Sequence, residues 1–141
     1  QTCSLPICQN VIDLHGNIHQ ARCIKENKLV DHWNFENEIP ICPDCKAPVR
    51  PDVVWFGESL NPASIQKAVY ASQNCDLFFS VGTSGIVEPA ASLPFEALRH
   101  GAKVIEINPQ PTPLTIYATY YFSHSAATFL PALIQKVWRD C

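Results

Sequence analysis

Two apolar runs with a helical segment between them constrain the fold of this chain more than any other feature. The first run covers Leu77 to Val81 and the second covers Lys103 to Ile107. The pattern between them, from about residue 88 to residue 100, is typical of a helix. Strand, helix and strand at this spacing predict a right-handed crossover between two parallel strands. The expected fold class is therefore α/β, with a parallel sheet and helices.

The rest of the chain is less regular. Further elements are expected as helices at 61–73 and 128–139 and as apolar, strand-like runs at 11–15 and 53–56. The first of these helices would begin at Asn61 and Pro62, which suit the N-cap and the first helical position. Residues 23–50 have few apolar residues in a regular pattern. This segment therefore needs a stabiliser other than a hydrophobic core.

Composition excludes several classes of protein. With 47% hydrophobic and 16% charged residues and a net charge of −3, the 141-residue chain does not resemble a disordered protein. Mild acidity gives no reason to expect nucleic acid or an anionic membrane as a partner. No apolar run approaches the roughly 20 residues that span a bilayer. The sequence has no methionine and begins with Gln1, so we expect a fragment or a processed chain.

The seven cysteines are spaced unevenly, and a complete disulfide framework would leave one thiol over. This usage favours a reducing compartment inside the cell, the cytoplasm. Cys42 and Cys45 form a C-x-x-C pair, which can present both sulfur atoms to one tetrahedral ion, and Cys23 lies upstream. A second such pair would need a cysteine at the position of Glu26. Spacing alone leaves open a fourth zinc ligand from Glu26, His19 or His32, weak or absent zinc binding, and a redox role for the pair.

Small residues follow the first strand of the expected parallel pair. Gly82, Thr83 and Ser84 come directly after it, and Asn108 comes directly after the second strand. Because parallel strands end at the same edge of a sheet, these residues are expected at one ligand-binding edge. Small side chains there let backbone N–H groups approach a phosphate or a ribose. A plain turn is the alternative, and the sequence has no G-x-G-x-x-G fingerprint.

Two further motifs have a functional and a structural interpretation. His15, before Gly16, could act as a general base near pH 7, or it could be a structural histidine. Residues 50–58 could be a core strand with a turn, or a backbone strip that pairs with a bound peptide. The remaining histidines and two tryptophans are expected to be surface or packing residues: His19, His32, His100, His124, Trp33 and Trp138.

Taken in order, these motifs resemble the sirtuin (Sir2) family of NAD-dependent protein deacylases, from Asn10 to about Leu133. The matching stretches are 11–17 (V-I-D-L-H-G-N), Cys23, 42–45 (C-P-D-C), 50–58 (R-P-D-V-V-W-F-G-E), 81–84 (V-G-T-S), 89–91 (P-A-A) and 106–108 (E-I-N). The V-V-W-F-G-E form is most similar to the class III branch. Members of that branch include desuccinylases and bacterial deacetylases.

The resemblance implies a Rossmann-type NAD-binding portion at residues 1–17 and 50–141 and an inserted zinc-ribbon module at 18–49. It implies an enzyme that transfers the acyl group of a modified lysine, in a protein or peptide, to ADP-ribose and releases nicotinamide. His15 matches the catalytic base. The residues that match the NAD site are Gly82, Thr83, Ser84, Asn108, Pro109, Gln110 and Ala126. The substrate peptide would pair with Val54, Phe56, Gly57 and Glu58, and structural zinc would bind Cys23, Cys42 and Cys45.

The family's N-terminal motifs have no counterpart in this sequence. The absent motifs are the G-A-G-x-S loop, the G-I-P-D-F-R segment and T-Q-N-I-D. They hold the pyrophosphate and nicotinamide in the family, so we expect no deacylase activity from this chain by itself. An apolar sheet edge should be exposed, which would favour self-association. The alternative function is a non-catalytic module that binds peptides or partner proteins.

Overall fold

The computed structural model describes residues 10–31 and 39–137, and these fall into two compact units. One unit ends at Ser64 and the other begins at Ile65. Three residues discussed above, His32, Trp33 and Trp138, lie outside the described residues, as does the end of the last expected helix. Among the residues described, no helix combines the length and apolar character needed to cross a membrane.

The first unit contains a small antiparallel sheet that the sequence patterns did not reveal. Its strands are β1 (Gly16–Cys23), β2 (Leu29–Val30) and β3 (Val49–Val53), in the order β2-β1-β3. The β1–β3 register shifts between Asn17 and Ala21, which marks a bulge. The core is small and its buried members are Ala21, Cys23, Val30, Cys42 and Val49.

Two predicted strands of this unit were misplaced. Residues 11–15 form no strand, and β1 instead begins at Gly16. Val11 is 48% exposed, so its apolar side chain does not mark a buried strand. The apolar run at 53–56 lies mostly after β3 and enters a turn. In both cases strand pairing between distant segments, and not local hydrophobicity, decided where the strands lie.

The helix α1 (Pro62–Gln73) confirms the predicted helix and its first residue. The side-chain Oδ1 of Asn61 accepts hydrogen bonds from the backbone N–H groups of Ala63, at 2.9 Å, and Ser64, at 3.4 Å. Asn61 therefore satisfies two of the four N–H groups that a helix leaves unpaired at its start.

The second unit contains the predicted parallel sheet. Strands β4 (Leu77–Val81) and β5 (Lys103–Ile107) pair in parallel over the full predicted ranges. The prediction missed β6 (Tyr120–Phe122), which extends the sheet in the order β4-β5-β6 and is parallel to β5. The buried core of this unit comprises Ala97, Ala102, Val104 and Leu114.

Strand β4 packs one of its faces against the core of the second unit, and its other face is exposed among the described residues. Phe78 packs against the core beneath helix α2 (Leu93–Arg99). Leu77 and Phe79 point to the opposite face because side chains alternate along a strand, and they are 46% and 41% exposed. Among the described residues, β4 is therefore packed on one face and exposed on the other.

Two helices that the structure describes in the second unit differ from their predicted bounds. The segment predicted as one helix from 88 to 100 is a 3₁₀ turn (Ala90–Ser92) followed by α2. Pro94 explains the late start, because a proline is tolerated in the first turn of an α-helix but not in its interior. The last helix, α3, covers Ala126–Val137, two residues earlier than predicted at its start.

Candidate functional site

The structure brings the two predicted loops at the carboxyl edge of the parallel sheet into direct contact. Asn108, after β5, donates from its side-chain Nδ2 to the carbonyl oxygen of Thr83, after β4, at 2.6 Å. The backbone N–H of Gly82 donates to the carbonyl of Ile107 at 2.9 Å. The edge at which open α/β sheets bind their ligands is therefore built from both loops.

The β4 loop is open to solvent. Gly82, Thr83 and Ser84 are exposed, and a Cβ added at Gly82 would meet no atom within 4 Å. The Thr83 hydroxyl accepts a hydrogen bond from the backbone N–H of Gly85 at 3.2 Å, which shapes the turn. The loop thus offers backbone and hydroxyl groups beside free space, as contact with a ribose or phosphate requires.

The segment after β5 is held at three points. The Asn108 Oδ1 accepts from the backbone N–H of Gln110 at 3.3 Å. The Pro109 carbonyl accepts from the Ser123 hydroxyl at 3.1 Å, and the Asn108 N–H donates to the carbonyl of Phe122 at 3.1 Å. Ala126, the last predicted member of this group, is half-buried at the first position of α3.

Sequence reasoning missed Glu106, the most deeply buried charged residue of the site region. Its side chain lies in β5 at 1% exposure, and its carboxylate oxygens accept hydrogen bonds from the hydroxyls of Thr112 and Thr115. The Thr115 hydroxyl in turn accepts from the backbone N–H of Thr112 at 2.8 Å. Glu106 therefore braces the turn that follows the Asn108 segment. A glutamate inside the apolar run V-I-E-I was the available signal.

His15 and the predicted peptide strip lie in the first unit, in direct backbone contact. The N–H of Val54 donates to the carbonyl of His15 at 3.0 Å. The imidazole is exposed, as a general base must be to meet a substrate. A glycine is required at position 16. Its φ of +77° is unfavourable for other residues, and the nearby Asp52 carbonyl leaves no room for a side chain.

The strip itself is a turn with an aromatic tip. The side chain of Phe56 is fully exposed and that of Trp55 is 57% exposed. The Glu58 carboxylate accepts from the Trp55 backbone N–H at 3.0 Å and pairs with the Arg50 guanidinium at 2.9 Å. Both contacts lower the pKa of Glu58, and the hydrogen bond from Trp55 has the larger effect. Glu58 is therefore engaged within the turn, and the exposed groups of the strip are aromatic.

A cavity of about 700 Å³ lies beside this turn within the first unit. Its lining includes Leu14, Gly16, Val54 and Glu58, together with polar side chains such as Asn61. The motif around His15 and the start of the strip thus border one depression. A volume of this size is in the range of small-molecule and peptide side-chain sites.

The three predicted zinc ligands converge in the first unit. The Sγ atoms of Cys23, Cys42 and Cys45 and a carboxylate oxygen of Glu26 all lie within 4.8 Å of one another. Cys23 Sγ and Cys45 Sγ are 3.4 Å apart, close to the roughly 3.8 Å expected between thiolates in a tetrahedral zinc site with Zn–S bonds of about 2.3 Å. His19 does not belong to this cluster, and His32 lies outside the described residues. The donor set therefore fits zinc.

Two tight turns present these donors. In one, the N–H of Lys46 donates to the carbonyl of Cys42 at 3.0 Å, which closes the C-x-x-C turn. In the other, the Glu26 N–H donates to Cys23 Sγ at 3.4 Å, and this hydrogen bond lowers the pKa of Cys23. At Cys45, the hydrogen bond from the N–H of Ala47 lowers the pKa of the thiol. Burial and the neighbouring sulfur atoms outweigh it and raise the pKa of Cys45 to about 11. Metal binding must displace that proton, so metal affinity should fall with falling pH.

Comparisons with known proteins agree with these motifs. The model of the Sir2 family matches residues 6–89. The NAD-dependent protein deacylase 1 of Caldanaerobacter subterraneus subsp. tengcongensis is 46% identical in an alignment of 133 residues that covers 90% of this chain and 53% of the relative. The NAD-dependent protein deacylase of Aquifex aeolicus is 45% identical over 124 residues, covering 86% of this chain and 52% of the relative.

Solved structures give the same result. The structure of a Sir2 homologue in complex with NAD superposes with a TM-score of 0.88 at 38% identity, covering 93% of this chain and 52% of that one. Sir2Tm bound to a propionylated peptide superposes with a TM-score of 0.81 at 31% identity, covering 89% and 55%. The chain spans about half the length of the curated relatives that it matches. The family match extends over more than half of the chain, and the chain therefore belongs to the Sir2 family.

Proposed function

We propose that this chain is part of an NAD-dependent protein-lysine deacylase, which transfers the acyl group to ADP-ribose and releases nicotinamide. The observation that carries the proposal is the hydrogen bond between Asn108 and Thr83, which builds one ligand edge from two loops. Relatives named NAD-dependent protein deacylases, and a Sir2 homologue solved with NAD, support it.

In this proposal the carboxyl edge of the sheet binds NAD. The residues assigned to it are Gly82, Thr83, Ser84, Asn108, Pro109, Gln110 and Ala126. The exposed backbone and hydroxyl groups of the β4 loop would donate to ribose oxygens. His15 would accept a proton from a hydroxyl of the nicotinamide ribose, because a neutral imidazole is basic enough to do so near pH 7.

The acyl-lysine peptide would pair with the strip formed by Val54, Phe56, Gly57 and Glu58. Strand β3 lies at the edge of its sheet among the described strands, and the strip continues directly from it. An extended peptide can add to such an edge through backbone hydrogen bonds. The Sir2 structures solved with acetylated and propionylated peptides support this role. The class III resemblance further suggests acetyl, succinyl or malonyl groups as acyl chains.

We also propose that residues 18–49 form a zinc-ribbon module in which Cys23, Cys42 and Cys45 bind zinc. Zinc would there supply structural cross-linking and no chemistry, because both turns are closed around a small core. None of the four cysteines that the structure describes forms a disulfide, which supports a reducing, cytoplasmic location. Among the described strands, β4 has one unpaired edge and lies beside exposed Leu77 and Phe79, which supports self-association of this chain.

The catalytic proposal is tested in the full-length protein, because no deacylase activity is expected from this chain by itself; the assay is nicotinamide release from NAD with acetyl-, succinyl- and malonyl-lysine peptides. His15→Asn should lower turnover by about 10²- to 10⁴-fold, the usual contribution of a general base. His19→Asn is the matched control, because His19 is an exposed histidine of the same unit. Equal turnover of both variants would remove His15 from the mechanism. If the full-length protein binds the peptide by calorimetry but neither binds NAD nor releases nicotinamide, the non-catalytic module is the correct function.

A further inference from the structure

We infer that Glu26 is the fourth ligand of the metal site, so that the site has three sulfur donors and one oxygen donor, and that Lys28 holds this carboxylate in place. The inference rests on the zinc site proposed above. It goes beyond that proposal because it assigns the donor set and the residue that orients it. The carboxylate oxygen of Glu26 lies within 4.8 Å of all three sulfur atoms.

Glu26 reaches the cluster because it has the same position in the turn that begins at Cys23 as Cys45 has in the turn that begins at Cys42. Each follows a cysteine by three residues, Cys23 in one turn and Cys42 in the other. The Cys23 turn is closed by the N–H of Asn27, which donates to the Cys23 carbonyl at 2.9 Å. A glutamate side chain is longer than a cysteine side chain, and Glu26 is partly exposed, so its carboxylate can approach an ion from the solvent side.

Lys28 ties the two turns together next to this carboxylate. Its ammonium group lies 2.9 Å from Glu26 Oε2 and also pairs with the carboxylate of Asp44, which lies inside the C-x-x-C turn. A carboxylate has two oxygen atoms, so Glu26 can pair with Lys28 and bind a metal ion at the same time. Outer-shell groups of this kind fix the orientation of a ligand and tune its basicity.

Charge gives Lys28 a second role. Three thiolates and a carboxylate carry four negative charges around a divalent cation, which leaves the loaded site with a net charge of −2. The ammonium of Lys28 offsets part of this excess at short range. An oxygen donor is also harder than a thiolate, so the site should hold zinc less tightly than a site with four thiolates.

The test uses the whole chain loaded with Zn²⁺ or Co²⁺. Metal content is measured by elemental analysis, affinity by competition with a chelator, and the donor set by the thiolate-to-Co²⁺ charge-transfer absorption. Lys28→Gln should lower affinity by roughly 10- to 100-fold with the charge-transfer band unchanged. Glu26→Gln, which removes the proposed ligand itself, should lower affinity by at least as much. Glu26→Cys should raise affinity and raise the charge-transfer intensity by about one third, because a fourth thiolate joins three.

Glu58→Gln serves as the matched control, because Glu58 is an exposed, ion-paired carboxylate of the same unit that lies outside the cluster. If Glu26→Gln binds metal as Glu58→Gln does, another residue is the fourth ligand and the inference is wrong. If the unmodified chain binds no metal, both the zinc proposal and the inference fail. An oxygen-containing donor set found in a full-length protein that lacks deacylase activity would support the inference and count only against the proposed function.

Discussion

Replacement of Gly16 by alanine should break the pairing of β1 with β3 in the first unit. Gly16 begins β1, is paired with Val53 and has a φ of +77°. A Cβ at this position would lie 2.0 Å from the carbonyl oxygen of Asp52 and 3.2 Å from the Cα of Val53. These are backbone atoms, which cannot move aside by a side-chain rotation. The two strands would therefore have to separate.

The cost of Gly16→Ala has two parts. The left-handed conformation costs a residue with a Cβ about 1–2 kcal/mol. Forcing an extra methyl group into a filled space adds about 1–3 kcal/mol. The sum, about 2–5 kcal/mol, is a large share of the roughly 5–15 kcal/mol that stabilises a typical domain. The variant should therefore lose much of the stability of the first unit.

Gly57→Ala separates the conformational cost from the cost of the steric clash. Gly57 has a φ of +90°, but an added Cβ would meet no atom within 4 Å. Only the conformational cost applies, so the loss should stay at about 1–2 kcal/mol. Both variants are compared with the unmodified, zinc-loaded chain by urea unfolding and by amide hydrogen exchange in β1 and β3. Equal losses of stability would refute the contact-based reasoning, since the two sites differ in contact and not in the sign of φ.

Three further predictions concern single side chains. Glu106→Gln should lower the free energy of unfolding by about 1–3 kcal/mol in urea, because one of the two threonine hydroxyls would lose its acceptor; an unchanged midpoint would contradict this. Asn61→Ala should cost about 0.5–2 kcal/mol in the same assay, whereas Asn61→Asp, which keeps an acceptor, should cost less. Because the pKa of Glu58 is lowered from 4.5 on folding, its contribution is present above about pH 4.5 and is lost as pH falls through the lower folded value. The stability difference between the unmodified chain and Glu58→Gln should therefore shrink on acidification in a series of urea titrations; a difference that grows would be inconsistent with the shift.

The local sequence pattern was sufficient to predict those elements whose bounds depend on residues adjacent in the chain. The apolar runs that became β4 and β5, and the Asn61-Pro62 signal that begins α1, were predicted with correct bounds. Local pattern failed for β1, whose sequence G-N-I-H-Q-A-R-C has no clear alternation. That strand exists because it pairs with β3, which is distant in the chain, and such pairing leaves little trace in either segment alone.

By itself, the sequence determined the parallel strand pair, the helices around it and the ordered motifs that identify the family. These depend on residue type and short spacing, which local physical chemistry translates directly into strands, turns and caps. Only the tertiary structure decided that Asn108 bonds to Thr83, that Glu106 braces the following turn and that Glu26 joins the sulfur cluster. Each of these contacts forms when strand register and packing bring separate segments within hydrogen-bond or ligand distance. Register is set by the burial of whole strands, so no single motif could specify it.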